Sequence, residues 1–132
     1  MVIRPAEPHD LSRIITFDAF PGDRIIEIVD RRMLVFEIEE LVVGYIAWQQ
    51  GGCLGMDYVN KLVVANAYRR LGVAQKLVGA LHTALEGRIF ISAGARNTAA
   101  VTLLNGTGWT FAGQLTGLLP MDEQELFFHR DF

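Results

Sequence analysis

The segment that most constrains this chain is a strand–turn–helix passage near its centre. Residues 61–70 read KLVVANAYRR, an apolar strand that leads into two arginines, and LGVAQKLVGALHTAL follows as an amphipathic helix. In that helix, apolar residues recur every fourth position at Val73, Leu77, Leu81 and Leu85. Its first turn holds no acid, although helix starts favour Asp and Glu because their first N–H groups are unpaired and partly positive. The pattern therefore predicts a bound anion at this turn.

The turn is built from small residues and free amides. Gly72 has no Cβ, so the backbone can approach a ligand closely, and Ala74 keeps the next turn uncluttered. We expect the amides of Arg70, Leu71, Gly72, Val73 and Ala74 to converge on a phosphate, with support from the helix dipole. The sequence lacks both GxxxxGK[ST] and GxGxxG, so the turn is neither a nucleoside-triphosphatase loop nor a dinucleotide-binding turn.

Charge is unevenly distributed along the chain. The whole chain carries a net charge of −3, yet the stretch from Tyr58 to Met121 holds six bases and a single acid, Glu86. This polarity favours one surface for an anion and another for a cation, although a chance cluster on solvated surface would give the same count. Nucleic acid is not expected as a partner, because the chain is acidic overall and lacks interleaved basic and aromatic runs.

Composition places the chain among single globular domains. It has 132 residues, of which 51% are hydrophobic, and no apolar run approaches the roughly 20 residues that cross a bilayer. The first residues, MVIRPAEPHD, lack the apolar core of a signal peptide, and Cys53 is the only cysteine, so we expect a cytoplasmic protein without disulfides. The three histidines have no ligand-like spacing, and no metal site is expected.

Hydrophobic periodicity predicts one α/β (α+β) domain over residues 1–132, with the order β, two helices, three strands, helix, strand, helix, two strands. The first helix is expected over residues 9–20 with Asp10 as its cap, a turn at residues 50–52, and a cap at Asn97 for the helix over residues 98–105. A mixed sheet with helices on both faces accommodates this order. The last strand, ELFFHRDF, is expected near a sheet edge, where it could support a homodimer.

Two motifs resemble those of the GNAT acetyltransferases. LVVANAYRRLGVAQKLVGAL is similar to the family's motif A, a strand followed by [Q/R]-x-x-G-x-[G/A], which Arg69, Gly72 and Ala74 match. NTAAVTLLNGTGW resembles the N-x-x-A…L-Y-x-x-x-G-F segment, with matches at Asn97, Ala100, Leu103, Gly108 and Trp109 (in place of Phe). Both motifs lie on matching elements in the matching order, so the resemblance implies a GNAT-like fold around a mixed, mostly antiparallel sheet.

The resemblance also implies a cofactor site. The amides of residues 70–74 would hold the pyrophosphate of acetyl-CoA, and the backbone of Leu62, Val63 and Val64 would pair with the pantetheine arm. A parted strand edge would admit the thioester, and one of its N–H groups would polarise the acetyl carbonyl. Asn97 would lie near the pantetheine end. A primary amine, on a small molecule or a peptide, would then attack directly without an acyl-enzyme.

One departure from the family pattern concerns proton transfer. Leu104 stands where the family has the tyrosine that protonates the departing thiolate, and leucine has no proton to give. Tyr58, on the strand that leads to the thioester site, is the candidate replacement, although an aromatic side chain there is also a common sheet filler. Asp57 could relay a proton through water or be an ordinary turn residue.

Acceptor recognition is expected from the acidic N-terminal part, where the candidates are Asp18, Asp23, Glu27 and Glu37, with Phe17, Phe20 and Trp48 as pocket walls. An α-amine, with a pKa of about 8, loses its proton more easily than a lysine at about 10.4, and is favoured if no strong base is present. Two alternatives stay open: a non-catalytic acyl-CoA-binding or sensor module, and a structural domain with an accidental RxxGxA.

Overall fold

A computed structural model describes all residues from 1 to 132, and its strands form one seven-stranded sheet in the order β1-β2-β3-β4-β5-β7-β6. The strands are β1 (Val2–Pro5), β2 (Met33–Ile38), β3 (Leu41–Cys53), β4 (Met56–Val64), β5 (Arg88–Gly94), β6 (Thr110–Leu115) and β7 (Glu125–Asp131). The helices are α1 (Leu11–Ile14), α2 (Ile25–Val29), α3 (Val73–Gly79) and α4 (Thr98–Gly106). Short 3-10 turns occur at Pro8–Asp10, Asn66–Tyr68, Ala80–Thr83 and Pro120–Asp122.

The order of elements predicted from the sequence is confirmed, as is the mixed sheet. Only β4 and β5 run parallel, and every other neighbouring pair of strands is antiparallel. The parallel pair arises because α3 crosses over between β4 and β5. A crossover of this kind is what a parallel connection requires, whereas antiparallel neighbours can be joined by tight turns.

Hydrophobic layers lie on both faces of the sheet. On one face Ile14 of α1 and Ile28 of α2 pack against Val35 and Tyr45. On the other face the buried stripe of α3 and its 3-10 extension packs against the strands together with Leu104 of α4. Because helices cover both sides of β2, its residues Met33–Phe36 are all buried.

The first helix is shorter than predicted, and Asp10 does not cap it. The α-helical part spans only Leu11–Ile14, and the chain leaves the helix before Phe20. The Asp10 carboxylate instead accepts a hydrogen bond from the Glu7 amide at 2.8 Å and pairs with Arg4. These two partners hold the carboxylate over the preceding 3-10 turn, away from the amides that open α1.

Two further predictions about strand ends are wrong. Strand β3 continues through residues 50–52 to Cys53, and the hairpin turns at Leu54 and Gly55, both with positive φ. The three residues bulge from the ladder because the Gly51 amide donates to Asp57 Oδ1 at 3.1 Å. Strand β7 lies between β5 and β6, so the edge is β6, and the homodimer stays a prediction. No helix is long and apolar enough to cross a membrane.

Candidate active site

Strands β4 and β5 pair for only three residues and then separate. The parallel ladder joins Asp57–Val59 to Ile89–Ile91, while β4 continues to Val64 without a partner on that side. The separation begins at a β-bulge, because Val59 lies opposite Trp48 and Lys61 lies opposite Ala47, which leaves Asn60 as an extra residue. Beyond the bulge the side chains point to the opposite faces of the sheet. Val59 is therefore buried in the hydrophobic layer under α3, and Val63 is buried in the layer under α1.

The open edge of β4 presents backbone groups that no neighbouring strand pairs with. The Ala65 amide donates to Val43 O at 2.8 Å, so in this alternating ladder Val63 also faces β3. Leu62 and Val64 therefore direct their own N–H and C=O groups toward the open side. An extended ligand can add itself to such an edge as a further strand. This is the edge that the family resemblance assigned to the pantetheine arm.

A cavity of about 170 Å³ lies where the strands part. Its walls come from Val59–Leu62 on β4, Ile91–Ala93 on β5, three residues of α4, Asn97 and Phe20. The lining is mainly apolar, with polar groups supplied by Asn60, Lys61, Ser92 and Asn97. An apolar recess with a few polar groups suits a small acyl chain beside a polar reacting centre.

The turn before α3 has the geometry expected of an anion site. Gly72 is the N-cap residue with φ +79°, and Arg70 also adopts positive φ at +64°. The amides of Gly72, Val73 and Ala74 donate to no other group of the chain. Arg69 Nε donates to the Val64 carbonyl at 3.1 Å, which ties this turn to the open edge of β4. The unpaired amides and the open strand edge are therefore parts of one surface.

Asn97 and Leu104 connect α4 to the cavity. The Asn97 side chain caps the helix by accepting from the Ala100 amide at 3.2 Å, as predicted, and the same residue lines the cavity. Leu104 also lines the cavity, but it is 2% exposed and belongs to the hydrophobic layer. At the position of the family tyrosine this chain therefore has a packed aliphatic side chain, which has no proton to donate.

Tyr58 is half-buried on β4, one residue before the last paired position. Its hydroxyl lies 2.6 Å from Ser92 Oγ, which donates to Glu125 Oε2 at 2.7 Å. Burial raises the pKa of Tyr58 because it disfavours the phenolate, and the charges of Glu125 and Cys53 raise the pKa further. The hydrogen bond with the Ser92 hydroxyl acts in the opposite direction. The phenol is therefore a protonated donor at neutral pH.

Asp57 has a structural partner in the hairpin, since its Oδ1 accepts from the Gly51 amide. It is partly exposed and is not among the residues that line the cavity. A proton would have to reach Asp57 through solvent, which is the water-mediated role predicted for it from the sequence.

The acidic N-terminal part supplies a buried charge cluster. Arg24 lies 3.4 Å from Asp18 and 3.7 Å from Glu27, and Lys61 Nζ lies 3.2 Å from Glu27 Oε1. Asp18 Oδ2 and Glu27 Oε2 accept no hydrogen bond. Glu27 also borders a wider polar recess of about 490 Å³ with Arg32, and its partner Lys61 lines the cavity, so the two partners of this ion pair face different recesses.

The other residues predicted for the acceptor side have different positions. Glu37 pairs with Arg4 at 2.6 Å, and Asp23 accepts from the Ile25 amide at the start of α2. Phe20 lines the cavity, whereas Phe17 packs on the α1 layer and Trp48 is buried in the α3 layer. Of the predicted acidic and aromatic residues, Phe20 and Glu27 thus border the two recesses.

Comparison with known proteins decides the family. The sequence profile described as "Acetyltransferase (GNAT) domain" matches residues 21–116, which is most of the chain. The chain belongs to the GNAT acetyltransferase family. It is therefore an N-acetyltransferase by family, and the resemblance seen in its two motifs is confirmed. No curated protein sequence matches this GNAT chain.

Solved structures share the fold across nearly the whole chain. A GNAT-family acetyltransferase from Bacillus cereus ATCC 10987 has a TM-score of 0.87 at 20% identity, with 98% of this chain and 96% of that chain covered. A ribosomal-protein-alanine N-acetyltransferase from Brucella melitensis has a TM-score of 0.84 at 19% identity, with 100% of both chains covered. A Bacillus anthracis str. Ames protein described as a streptothricin acetyltransferase was solved with acetyl coenzyme A. It has a TM-score of 0.81 at 17% identity, with 99% of this chain and 98% of that chain covered.

Sequence reasoning missed the polar residues that gather around the parted strands of this GNAT domain. Ser92, Lys61 and Glu125 were not singled out, because each lies on an apolar strand and the three are far apart in sequence. A polar residue inside RIFISAG was the available signal for Ser92. The pairing of β5 with β7, which brings Glu125 alongside, has no short-range signature.

Proposed function

We propose that this GNAT enzyme transfers the acetyl group of acetyl-CoA to a primary amine by direct attack in a ternary complex. The observation that carries the proposal is the continuity of three features: the unpaired amides before α3, the open edge of β4 and the cavity between the parted strands. Together they match the successive parts of an acyl-coenzyme A: a diphosphate, an amide-bearing arm and a small acyl group.

The diphosphate is proposed to bind at the turn of residues 70–74. Three of its amides are unpaired, and the guanidinium groups of Arg69 and Arg70 add positive charge on an exposed loop. Unpaired amides at a helix start form a natural anion site. The residues present therefore fit the group, and the absence of an acid from the first turn of α3 is explained.

The pantetheine arm is proposed to lie along Leu62, Val63 and Val64. Leu62 offers an outward N–H and C=O and Val64 an outward N–H, since Arg69 already donates to the Val64 carbonyl, while Val63 fixes the strand through its pairing with Tyr45 on β3. Asn97 stands across the cavity from this edge and supplies a polar side chain near the end of the arm. A backbone N–H beside the cavity then polarises the acetyl carbonyl, an interaction that strengthens as charge develops on its oxygen.

Tyr58 is proposed as the group that protonates the departing thiolate. It stays protonated at neutral pH and lies beside the point where β4 and β5 separate. Its hydroxyl is hydrogen-bonded to Ser92, which lines the cavity. Asp57 is proposed to accept a proton through water. General acid–base groups of this kind contribute about 10²- to 10⁴-fold to a rate.

The acceptor is proposed to approach over the polar recess bordered by Glu27. Glu27 borders this recess and pairs with Lys61, which lines the cavity, and we propose the Glu27 carboxylate as the group that attracts the amine. We propose an α-amino group as the reacting amine, because its deprotonation at neutral pH costs about 1 kcal/mol against about 4–5 for a lysine. The single free cysteine, Cys53, suits the reducing cytoplasm that we propose as the compartment.

The deciding experiment measures release of free coenzyme A thiol from acetyl-CoA with amino-acid amides and with α-blocked lysine. We expect turnover with the α-amines and a lower kcat/KM with blocked lysine. A strong preference for the ε-amine would reject the α-amine. Tyr58→Phe is expected to lower kcat about 10²-fold or more, whereas Tyr68→Phe, which removes a hydroxyl without a hydrogen-bond partner, serves as the control.

A second candidate is a module that binds acyl-CoA without turning it over. The buried Leu104 at the tyrosine position favours it, because the usual proton donor is replaced by a core side chain. Calorimetric binding of acetyl-CoA with no thiol release across a broad panel of amines would support this candidate, and any amine-dependent turnover would reject it.

A further inference from the structure

Three polar side chains form a directed hydrogen-bond chain across β4, β5 and β7. Tyr58 Oη lies 2.6 Å from Ser92 Oγ, and Ser92 Oγ donates to Glu125 Oε2 at 2.7 Å. Serine has one hydroxyl proton, and here it is given to the carboxylate. Tyr58 is therefore the donor in its bond to Ser92, and the chain runs from phenol to hydroxyl to carboxylate.

The chain crosses the sheet where the strands part. Tyr58 pairs with Phe90 in the last part of the parallel ladder, and Ser92 follows Ile91, the final paired residue of β5. Ser92 also lines the cavity. Glu125 lies on β7, two residues before Phe127, and Phe127 pairs with Ser92 in the sheet. The Phe127 ring also stacks on the Tyr58 ring, with 6.4 Å between the ring centroids.

We propose that Ser92 and Glu125 form, with Tyr58, a proton relay that couples deprotonation of the amine to protonation of the thiolate. This inference rests on the proposed acetyl transfer. In this relay Tyr58, whose hydroxyl is joined to the cavity wall through Ser92, gives its proton to the sulfur; Ser92 passes a proton on to Tyr58, and Glu125 takes up the proton of the amine. No other polar side chain makes a hydrogen bond to Tyr58.

The relay balances the protons of the reaction. A neutral amine attacks, the C–N bond forms and the C–S bond breaks, so nitrogen loses one proton and sulfur gains one. In the relay Glu125, rather than Asp57, takes up the proton from nitrogen, and it does so through water because Glu125 does not line the cavity. Glu125 passes one proton to Ser92, Ser92 passes one to Tyr58, and Tyr58 gives one to the thiolate. Every residue of the chain ends in its starting protonation state.

The surroundings of the chain favour transfer along it. The ionisable groups that act on Tyr58 are Glu125 from β7 and Cys53 from β3, and both disfavour the phenolate. Lys61 is held by Glu27, and Asp57 by the Gly51 amide. His129 packs edge-on against Phe90 at 5.7 Å and makes no hydrogen bond to the chain. A phenolate formed at Tyr58 therefore regains its proton most readily through Ser92.

The kinetic test uses Ser92→Ala, Ser92→Thr and Glu125→Gln. We expect Ser92→Ala and Glu125→Gln to lower kcat about 10- to 100-fold with the KM for acetyl-CoA unchanged, and Ser92→Thr to restore most of the rate because it keeps a hydroxyl. Glu125→Gln should also remove the acidic limb of the pH profile of kcat, since the relay needs the carboxylate unprotonated. Asp131→Asn is the matched control, because it neutralises an exposed acid on the same strand.

A second measurement does not depend on turnover. Ultraviolet titration of each variant, taken as a difference from the same variant carrying Tyr58→Phe, reports the Tyr58 phenol alone. Glu125→Gln should lower the pKa of Tyr58 by removing a negative charge, and Ser92→Ala should raise it by removing a donor to the phenolate. Unchanged titration in both folded variants would overturn the chain, and the measurement stays informative when a folded variant has no activity.

The outcomes separate the relay from the proposed function. A wild-type protein that turns over no amine rejects the transferase proposal. An active wild type whose Ser92→Ala and Glu125→Gln variants keep its kcat and pH profile rejects the relay alone.

Discussion

Arg69 donates through Nε to the backbone carbonyl of Val64, 3.1 Å away, and so joins the turn before α3 to the open edge of β4. The contact fixes two surfaces relative to each other: the unpaired amides of the turn and the edge of β4 that lacks a neighbouring strand. A ligand that uses both surfaces meets them already aligned, so less conformational entropy is lost on binding.

Removal of this contact should weaken cofactor binding. We expect Arg69→Ala to raise the Kd of acetyl-CoA about tenfold, equivalent to about 1.4 kcal/mol, because a charged group near the diphosphate is lost with the alignment of the turn. Titration calorimetry measures the change. Arg88→Ala removes an exposed arginine bound to Asp131 and should leave the Kd unchanged; equal losses in both variants would show a general charge effect instead.

The glycines at the two ends of α3, Gly72 just before the helix and Gly79 as its last residue, differ in backbone conformation but have equally open surroundings. A Cβ added to Gly72 or to Gly79 would meet nothing within 4 Å, yet Gly72 has φ +79° and Gly79 has φ −64°. Gly72→Ala should therefore lower the free energy of unfolding by about 1–2 kcal/mol through backbone strain alone. Gly79→Ala should raise it by about 0.4–1 kcal/mol. Urea unfolding compares the two, and equal effects would contradict the conformational explanation.

The Arg4–Asp10 ion pair should make stability depend on acid pH. Burial by itself would raise the pKa of Asp10, but hydrogen bonds from Arg4 and the Glu7 amide, with the charge of Arg4, bring the pKa below its ordinary value. A carboxylate of this kind stabilises the fold above its unfolded pKa of about 3.9, and the contribution is lost as the pH falls through the lower folded value.

We therefore expect Asp10→Asn to cost about 1–3 kcal/mol at neutral pH. The difference from wild type should begin to shrink as the pH falls below about 4, where the unfolded carboxylate takes up a proton, and should be smallest once the folded carboxylate is protonated as well. Denaturant unfolding at several pH values tests both statements. A difference that stayed constant with pH would show that packing, rather than charge, is responsible.

Leu104 should matter for stability and not for proton transfer. It is 2% exposed between α4 and the sheet, so Leu104→Ala is expected to cost about 2–5 kcal/mol of unfolding free energy. Leu104→Met, which keeps the volume, should cost less than about 1.5 kcal/mol and leave kcat and its pH profile unchanged. A shift of the pH profile in the methionine variant would assign this position a part in the chemistry.

The parts of this fold that follow from local sequence were predictable, and the parts that follow from strand pairing were not. The stripe from Val73 to Leu81 and the Asn97 cap depend on neighbours within a few residues, and both are confirmed. The hairpin turn was misplaced because the irregular glycines at residues 51–52 are held by Asp57 rather than by a local turn. The inner position of β7 and the nearness of Ser92 to Glu125 depend on long-range register.

The bulge at Asn60 interrupts the alternation of side chains between the two faces of β4, so the two halves of the strand alternate out of step. Val59 and Val63 are an even number of residues apart, which would place them on one face of a regular strand, yet they lie in opposite layers. Deletion of one residue here would re-phase the second half, turn Val63 out of the layer it fills and let β5 resume its ladder. The separation of β4 and β5 thus depends more on the number of residues in β4 than on their identity. Deletions in β4 should therefore be far rarer than substitutions among descendants of this chain.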